Sequence, residues 1–264
     1  MWTRTELKQK AKNQMKGRYF SYLAVSIMPQ ISTFILLMPV YLIYFIIIFA
    51  SLIPIMASLS DGNNSPDLLL GFSVLVFPII FISIYFFIFA IMIFFTQPVI
   101  VGTNRWIVRS RENQNIPIFI CFSAFRKGAY LKTVGSMAYM MLFSMLWTLL
   151  FYIPGIVKYY SYRMIPFILA DNPGIGAKRA LALSTRMTAG HKMDMFVLDM
   201  SFIGWFILGY MVCAVGLYAV IPYYQATLAE LYDVLKKDAV RNGYCTMEEL
   251  GYVKAQEKEI PSAV

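Results

Sequence analysis

Residues 22–60 read YLAVSIMPQISTFILLMPVYLIYFIIIFASLIPIMASLS. After DGNNSPD at 61–67 the chain continues as LLLGFSVLVFPIIFISIYFFIFAIMIFFTQPVIVGT over 68–103. Neither run contains a single Lys, Arg, Asp or Glu, and the loop between them holds two acids and no base. About 20 apolar residues in a helix cross a hydrocarbon core of about 30 Å, so each run is long enough to be a membrane helix. The bases stand outside: Lys8, Lys10, Lys12 and Lys16 before the first run, Arg105, Arg109 and Arg111 after the second. Cytoplasmic loops carry such an excess of Lys and Arg, which predicts that both ends of this hairpin face the cytoplasm and its acidic turn faces outward.

Composition extends the same reading to the whole chain. Of its 264 residues 59% are hydrophobic and 14% charged, against about 25% charged in a soluble domain. The net charge of +9 is dispersed among segments that flank apolar runs, where attraction to anionic headgroups accounts for it, and no nucleic-acid partner is expected. Cys121, Cys213 and Cys245 form no paired motif and imply neither a disulfide framework nor a zinc site. The first eighteen residues are polar, and the apolar run behind them exceeds the core of about 7–15 residues in a cleavable signal, so insertion is expected through the first span itself.

The start of the chain fits a capping box, with Thr3 accepting from the third helical amide and Glu6 reaching back. Leu7, Ala11 and Met15 then recur at helical spacing while Lys8, Lys12 and Lys16 take the remaining surface, giving a basic amphipathic helix over 1–20 suited to headgroups. Residues 22–60 exceed one span, and Pro29, Pro39 and Pro54 offer ends, so one tilted span is expected with the remainder at the outer surface or re-entering. Residues 116–125 are too short to cross and read as interfacial or re-entrant. Further spans are expected at 134–152, 156–170, 195–212 and 217–235. Asn172 and Pro173 signal a helix start and Gly190 a stop, bounding an amphipathic helix on the inner leaflet with Ala180, Leu183 and Met187 on one face. The expectation is an all-α polytopic bundle of about six transmembrane helices in three hairpins plus amphipathic interfacial helices. It is a single domain over 1–264 with its transmembrane bundle at 22–235, a cytoplasmic tail at 236–264 and both termini cytoplasmic.

Catalytic constellations are missing from the sequence. His191 is the only histidine, which excludes a multi-histidine metal cluster, and its position beside Gly190 suits helix-end capping. No nucleophile elbow, phosphate loop or dinucleotide fingerprint occurs, so neither a catalytic residue nor a metal or other cofactor is expected. The informative polar groups lie inside apolar segments. Arg163 falls near mid-membrane if 156–170 crosses, where an unpaired Arg costs about 2.5–3.5 kcal/mol, and Asp199 and Glu230 are the acids able to pair with it. The alternative is that 156–170 is partly interfacial, with Lys158 and Arg163 snorkelling to water. Lys158, Arg163, Asp199 and Glu230 form the expected polar interior. Lys8, Lys12, Lys16, Arg179, Arg186, His191 and Lys192 form the expected interfacial or partner surface.

The segments IPGIVKY at 153–159, IPFILADNP at 165–173, GHK at 190–192, SFIGW at 201–205 and PYYQATLAE at 222–230, with RTELK at 4–8, together resemble the bacterial membrane family called domain of unknown function 975. The resemblance implies a polytopic membrane protein of the kind found mainly in Firmicutes, distantly similar to the non-catalytic membrane portion of some glycerophosphodiester phosphodiesterases. On that basis the expected function is non-enzymatic handling, transport or sensing of a lipid or other amphiphile in the bacterial cell membrane. The competing expectation is docking of a membrane protein partner, such as a transporter subunit or a bacteriocin, through 171–192 and the amino-terminal helix.

Overall fold

The computed structural model describes residues 2–60, 66–113, 115–126, 128–212 and 215–252. Its elements are α1 (Arg4–Met15), α2 (Tyr19–Ser60), α3 (Pro66–Ile91), a π-helical turn (Met92–Thr96), α4 (Gln97–Arg109), a 3₁₀ helix (Ile118–Phe125), α5 (Tyr130–Leu150), α6 (Tyr152–Tyr162), α7 (Ile165–Asp171), α8 (Ala177–Met187), α9 (Lys192–Met211) and α10 (Val215–Arg241). No strand occurs among the described residues, and the all-α class stands. Among the described residues four helices are long and apolar enough to cross a membrane: Tyr19–Ile53, Val76–Arg109, Tyr130–Leu150 and Lys192–Met211. The second arms of the expected second and third hairpins are not among them. The chain divides into two compact units, residues 29–97 and residues 1–28 with 98–264.

In the 29–97 unit, α2 is one helix of 42 residues, about 63 Å long at about 1.5 Å per residue. The expected span with a re-entrant remainder is not what forms. Polar side chains along 22–60 bond back within the helix, Ser32 and Thr33 to the Pro29 carbonyl at 3.1 and 2.7 Å and Ser51 to the Ile48 carbonyl at 2.7 Å, and each unsatisfied backbone group in lipid costs several kcal/mol. Continuing the helix through its prolines is therefore the cheaper solution. Tyr44 donates to Ser83 Oγ at 2.7 Å and the Thr33 and Thr96 hydroxyls meet at 2.7 Å, tying α2 to α3 and to the π turn. Large apolar side chains such as Phe45 and Phe86 point outward from this unit. Residues 61–65, most of the acidic loop expected to face outward, lie outside the described residues.

The other unit is a bundle around α10. Thr3 Oγ1 accepts from the Glu6 amide at 3.3 Å, but the Glu6 carboxylate turns forward to Lys10 at 2.7 Å, so only half of the capping box forms. Leu7, Ala11 and Met15 are buried in the core, so the apolar stripe of α1 rests on protein, not on lipid. Ala180, Leu183 and Met187 of α8 are buried in the same core, so that face also packs on protein. An amphipathic stripe is equally suited to lipid and to other helices, and here the helices take it. α8 also begins four residues later than expected: Asn172 Oδ1 accepts from the Gly174 amide at 2.8 Å, closing a side-chain turn, and Gly176 at φ +80° occupies the cap.

Residues 156–170 divide between α6 and α7 with a break at Arg163 and Met164. At 11 residues, α6 is about 16 Å long and cannot cross a core of about 30 Å. Residues 118–125 pack as a 3₁₀ helix on α4, where a Cβ on Gly102 would lie 1.7 Å from the Cys121 carbonyl oxygen. Two tight hairpins complete the unit. Gly155 lies against Thr148 where α5 turns into α6, and Gly209 lies against Gly216 where α9 turns into α10.

Candidate functional site: a buried ionic column beside an apolar groove

α10 carries polar residues on several faces, each meeting a different part of the bundle. Tyr224 lies highest. Opposite it, Arg163, which ends α6, donates to both carboxylate oxygens of Asp199 on α9 at 2.6 and 2.8 Å. Tyr160 and Tyr224 donate to the same carboxylate at 2.9 and 3.0 Å, and Arg163 also bonds the Tyr224 hydroxyl. The side chains of Arg163 and Asp199 are only 6% and 18% exposed. Such a pair is tenable because every strong donor and acceptor in it is matched.

Glu230 is not part of that group. It pairs with Arg111 at 2.9 Å, just beyond α4, and the same guanidinium reaches Asp233 at 2.8 Å while Lys237 closes on Asp233 at 2.7 Å. Offsets of three and four residues put Glu230, Asp233 and Lys237 on one helix face, which explains how one arginine serves two acids. Lys158 joins neither cluster. Its ammonium lies 4.8 Å from the centre of the Trp147 ring, a cation–π contact outside the column. The expected interior quartet thus separates into one joined pair, Arg163 with Asp199, and two residues that belong elsewhere.

A third cluster had no counterpart in the sequence reading. Asp171, at the end of α7, accepts from Tyr232 at 2.7 Å and Tyr252 at 3.2 Å, with Lys236 3.4 Å away and itself donating to Tyr252 at 2.7 Å. Arg105 of α4 fixes the same corner by donating to the Ala170 carbonyl at 2.7 Å. Residues 244–252 fold back beneath it as a strap. Asn172 donates to the Glu249 carbonyl at 2.8 Å and Arg179 grips the Glu249 carboxylate at 2.6 and 2.9 Å. The hydrogen bond from Arg179 holds the Glu249 carboxyl below its usual pKa, and burial raises the Cys245 thiol and the Tyr252 hydroxyl above theirs. The tail expected from 236 onward is therefore structured as far as 252, and 253–264 lie outside the described residues. The one available hint was the spacing of Tyr232 and Lys236, one helical turn apart; Asp171 and Tyr252 carry no local signal.

The expected interfacial residues also divide. Lys8 is drawn inward, donating to the Ser201 carbonyl at 3.2 Å with its ammonium 4.3 Å from the Phe202 ring centre. Arg179 is committed to the strap. Arg186 is exposed and Lys192 half-buried. His191 takes the position before α9 but makes no side-chain cap, its ring lying 6.2 Å from Trp2. Lys12 and Lys16 remain exposed, with no carboxylate partner among the described residues. They stand at the rim of a groove of about 490 Å³ between α1, α9 and α10. Met15, Tyr19, Trp205, Ala219, Val220 and Tyr223 line it, and Tyr19 closes one end by donating to the Ala219 carbonyl at 2.9 Å.

Apolar helices long enough to span, in an all-helical chain that also holds a buried ionic column, define a helical membrane protein. Residues 112–239 match the family described as Protein of unknown function (DUF975). The match takes in Arg163, Asp171, Asp199, Glu230 and Lys236, and leaves out α1 to α4 and the strap. No curated protein and no solved structure matches the chain.

Proposed function

We propose that this is a non-catalytic membrane protein that binds or senses an anionic amphiphile of the bacterial cell envelope, with its basic helix α1 and the end of α10 at the cytoplasmic face of the cell membrane. The groove beside α1 carries the reading. Its walls are apolar, its volume lies within the range of about 300–1,000 Å³ typical of ligand sites, and the charged side chains among its lining residues are Lys12 and Lys16. That combination suits an acyl chain below an acidic headgroup. The polar groups of the column are matched to one another and serve the fold, so recognition falls to Lys12 and Lys16.

The test is native mass spectrometry of gently extracted protein, offered equal amounts of phosphatidylglycerol and phosphatidylcholine. Retained phosphatidylglycerol, reduced by Lys12→Gln and Lys16→Gln, is the expected result. Each lysine near an anionic headgroup contributes about 1 kcal/mol, or roughly fivefold in affinity. Equal retention of both lipids, or none of either, removes the reading.

A further inference from the structure

We propose that the hairpins α5–α6 and α9–α10 enter and leave the bilayer through the same leaflet, with their tips near its midplane, instead of crossing it. Four observations converge on this. The first is the chemistry of the turns. Leu149, Phe151, Tyr152 and Ile153 at one tip are 62–80% exposed, and Tyr210, Met211 and Val212 at the other are 65–74% exposed. A turn that had emerged into water on the far side would be expected to carry polar side chains. Contiguous exposed apolar tips belong in hydrocarbon.

The second is a distance scale built into the helices. Lys8 lies over Phe202 of α9, and the nine residues from Phe202 to Met211 rise about 14 Å at about 1.5 Å per residue. Lys12 lies 5.8 Å from the ring centre of Tyr223 of α10, about 12 Å from the start of that helix at Val215. Lys158 is about 9 Å below Tyr152 on α6. Three cations, two on α1 and one on α6, thus stand about 9–14 Å below the tips, half the thickness of a core of about 30 Å or less. Crossing hairpins would hold all three within the hydrocarbon. Hairpins that turn at the midplane put them at the headgroups.

The third is where the helices lose their protein covering. On α5 the buried residues Thr133, Val134, Ser136 and Met137 all precede the exposed Leu142, Met145, Leu149 and Leu150. On α9, Met195, Leu198 and Phe202 are buried, whereas Ile203, Trp205, Ile207 and Leu208 are exposed. Exposed apolar side chains are concentrated in the half of each helix nearer its tip, although Leu131 on α5 and Met193 and Met200 on α9 are exposed nearer the other end. The fourth concerns the turn backbones, which hydrocarbon tolerates only if they are satisfied. The amides of Phe151 and Gly155 donate to the Trp147 and Phe151 carbonyls at 3.1 and 3.0 Å, and those of Val212 and Gly216 to the Leu208 and Val212 carbonyls at 3.3 and 3.5 Å. These bonds satisfy one backbone amide on either side of each bend.

The test uses the full chain with its three cysteines replaced by alanine, carrying Tyr152→Cys, Met211→Cys or, as reference, Lys178→Cys. An impermeant maleimide is applied to intact cells and to inside-out vesicles. Lys178→Cys should label from one side only, and both tip variants from neither until detergent is added. Spin labels on the same tip cysteines in vesicles should report greater accessibility to oxygen than to a water-soluble nickel complex. Labelling of either tip from the face opposite Lys178→Cys, or from the same face, overturns the proposal. Should the alanine background not fold, Tyr152→Lys and Met211→Lys in the native chain decide the matter: a sharp loss of membrane-integrated protein supports midplane tips, and unchanged yield overturns them.

Discussion

Replacing Asp199 by alanine would leave a guanidinium only 6% exposed with no counter-charge, and would strip the Tyr160 and Tyr224 hydroxyls of their shared acceptor. Two routes give the magnitude. Unit charges about 4 Å apart at an effective dielectric constant of about 20 attract by about 4 kcal/mol. Removing one partner of a buried pair costs about 3–5 kcal/mol in measured cases, because the survivor remains desolvated. Agreement of the two predicts a fall in thermal midpoint on the order of 10 °C for a chain of this size, read by unfolding in mild detergent. Arg163→Met, Asp199→Leu and the double variant complete a cycle, and the double variant should be more stable than either single one, since it leaves no charge unmatched. A cost for Asp199→Ala within about 0.5 kcal/mol, the range of ordinary surface changes, would refute the reasoning. Simple additivity in the cycle would do the same.

Two further perturbations probe the packing around the column. Gly102→Ala places a methyl group 1.7 Å from the Cys121 carbonyl oxygen, so the 3₁₀ helix must move away. A cost of about 1–3 kcal/mol or more is expected, with the buried Cys121 thiol becoming reactive to a maleimide in the folded protein. The strap should respond to acid. The folded-state pKa of Glu249 is depressed by Arg179, so its contribution is present above the ordinary carboxylate value of about 4.3 and fades as pH falls through the lower folded value. Amide exchange over 244–252, corrected for its intrinsic pH dependence, should quicken in that acid window, and Glu249→Gln should remove the pH dependence. Exchange that stays constant through the window in the native chain would sink this account.

The acid–base pairing illustrates why some of this architecture was legible and some was not. Arg163 stood out in the sequence because a lone cation in an apolar segment demands a partner, and its two candidate acids could be named. Choosing between them required geometry. Asp199 faces α6 at the level of Arg163, whereas Glu230, six residues beyond Tyr224 on α10, lies one to two turns lower and meets Arg111. The amphipathic stripes of α1 and α8 were equally visible and equally ambiguous, since lipid and neighbouring helices offer the same apolar contact. Asp171 gave no signal at all: its partners Tyr232, Lys236 and Tyr252 are 61, 65 and 81 positions away.

Membrane character was determined by the sequence alone, because the free energy of placing a helix in hydrocarbon is a sum over consecutive residues and needs no knowledge of neighbours. The extents of α5 and α9 followed within a few residues from the same local sums, whereas α10 runs to Arg241, six residues beyond the expected end at 235. Tertiary structure alone decided the covering of each amphipathic face and the match of each acid to its base, because those depend on contacts between elements, where charges up to 119 residues apart come within 3 Å.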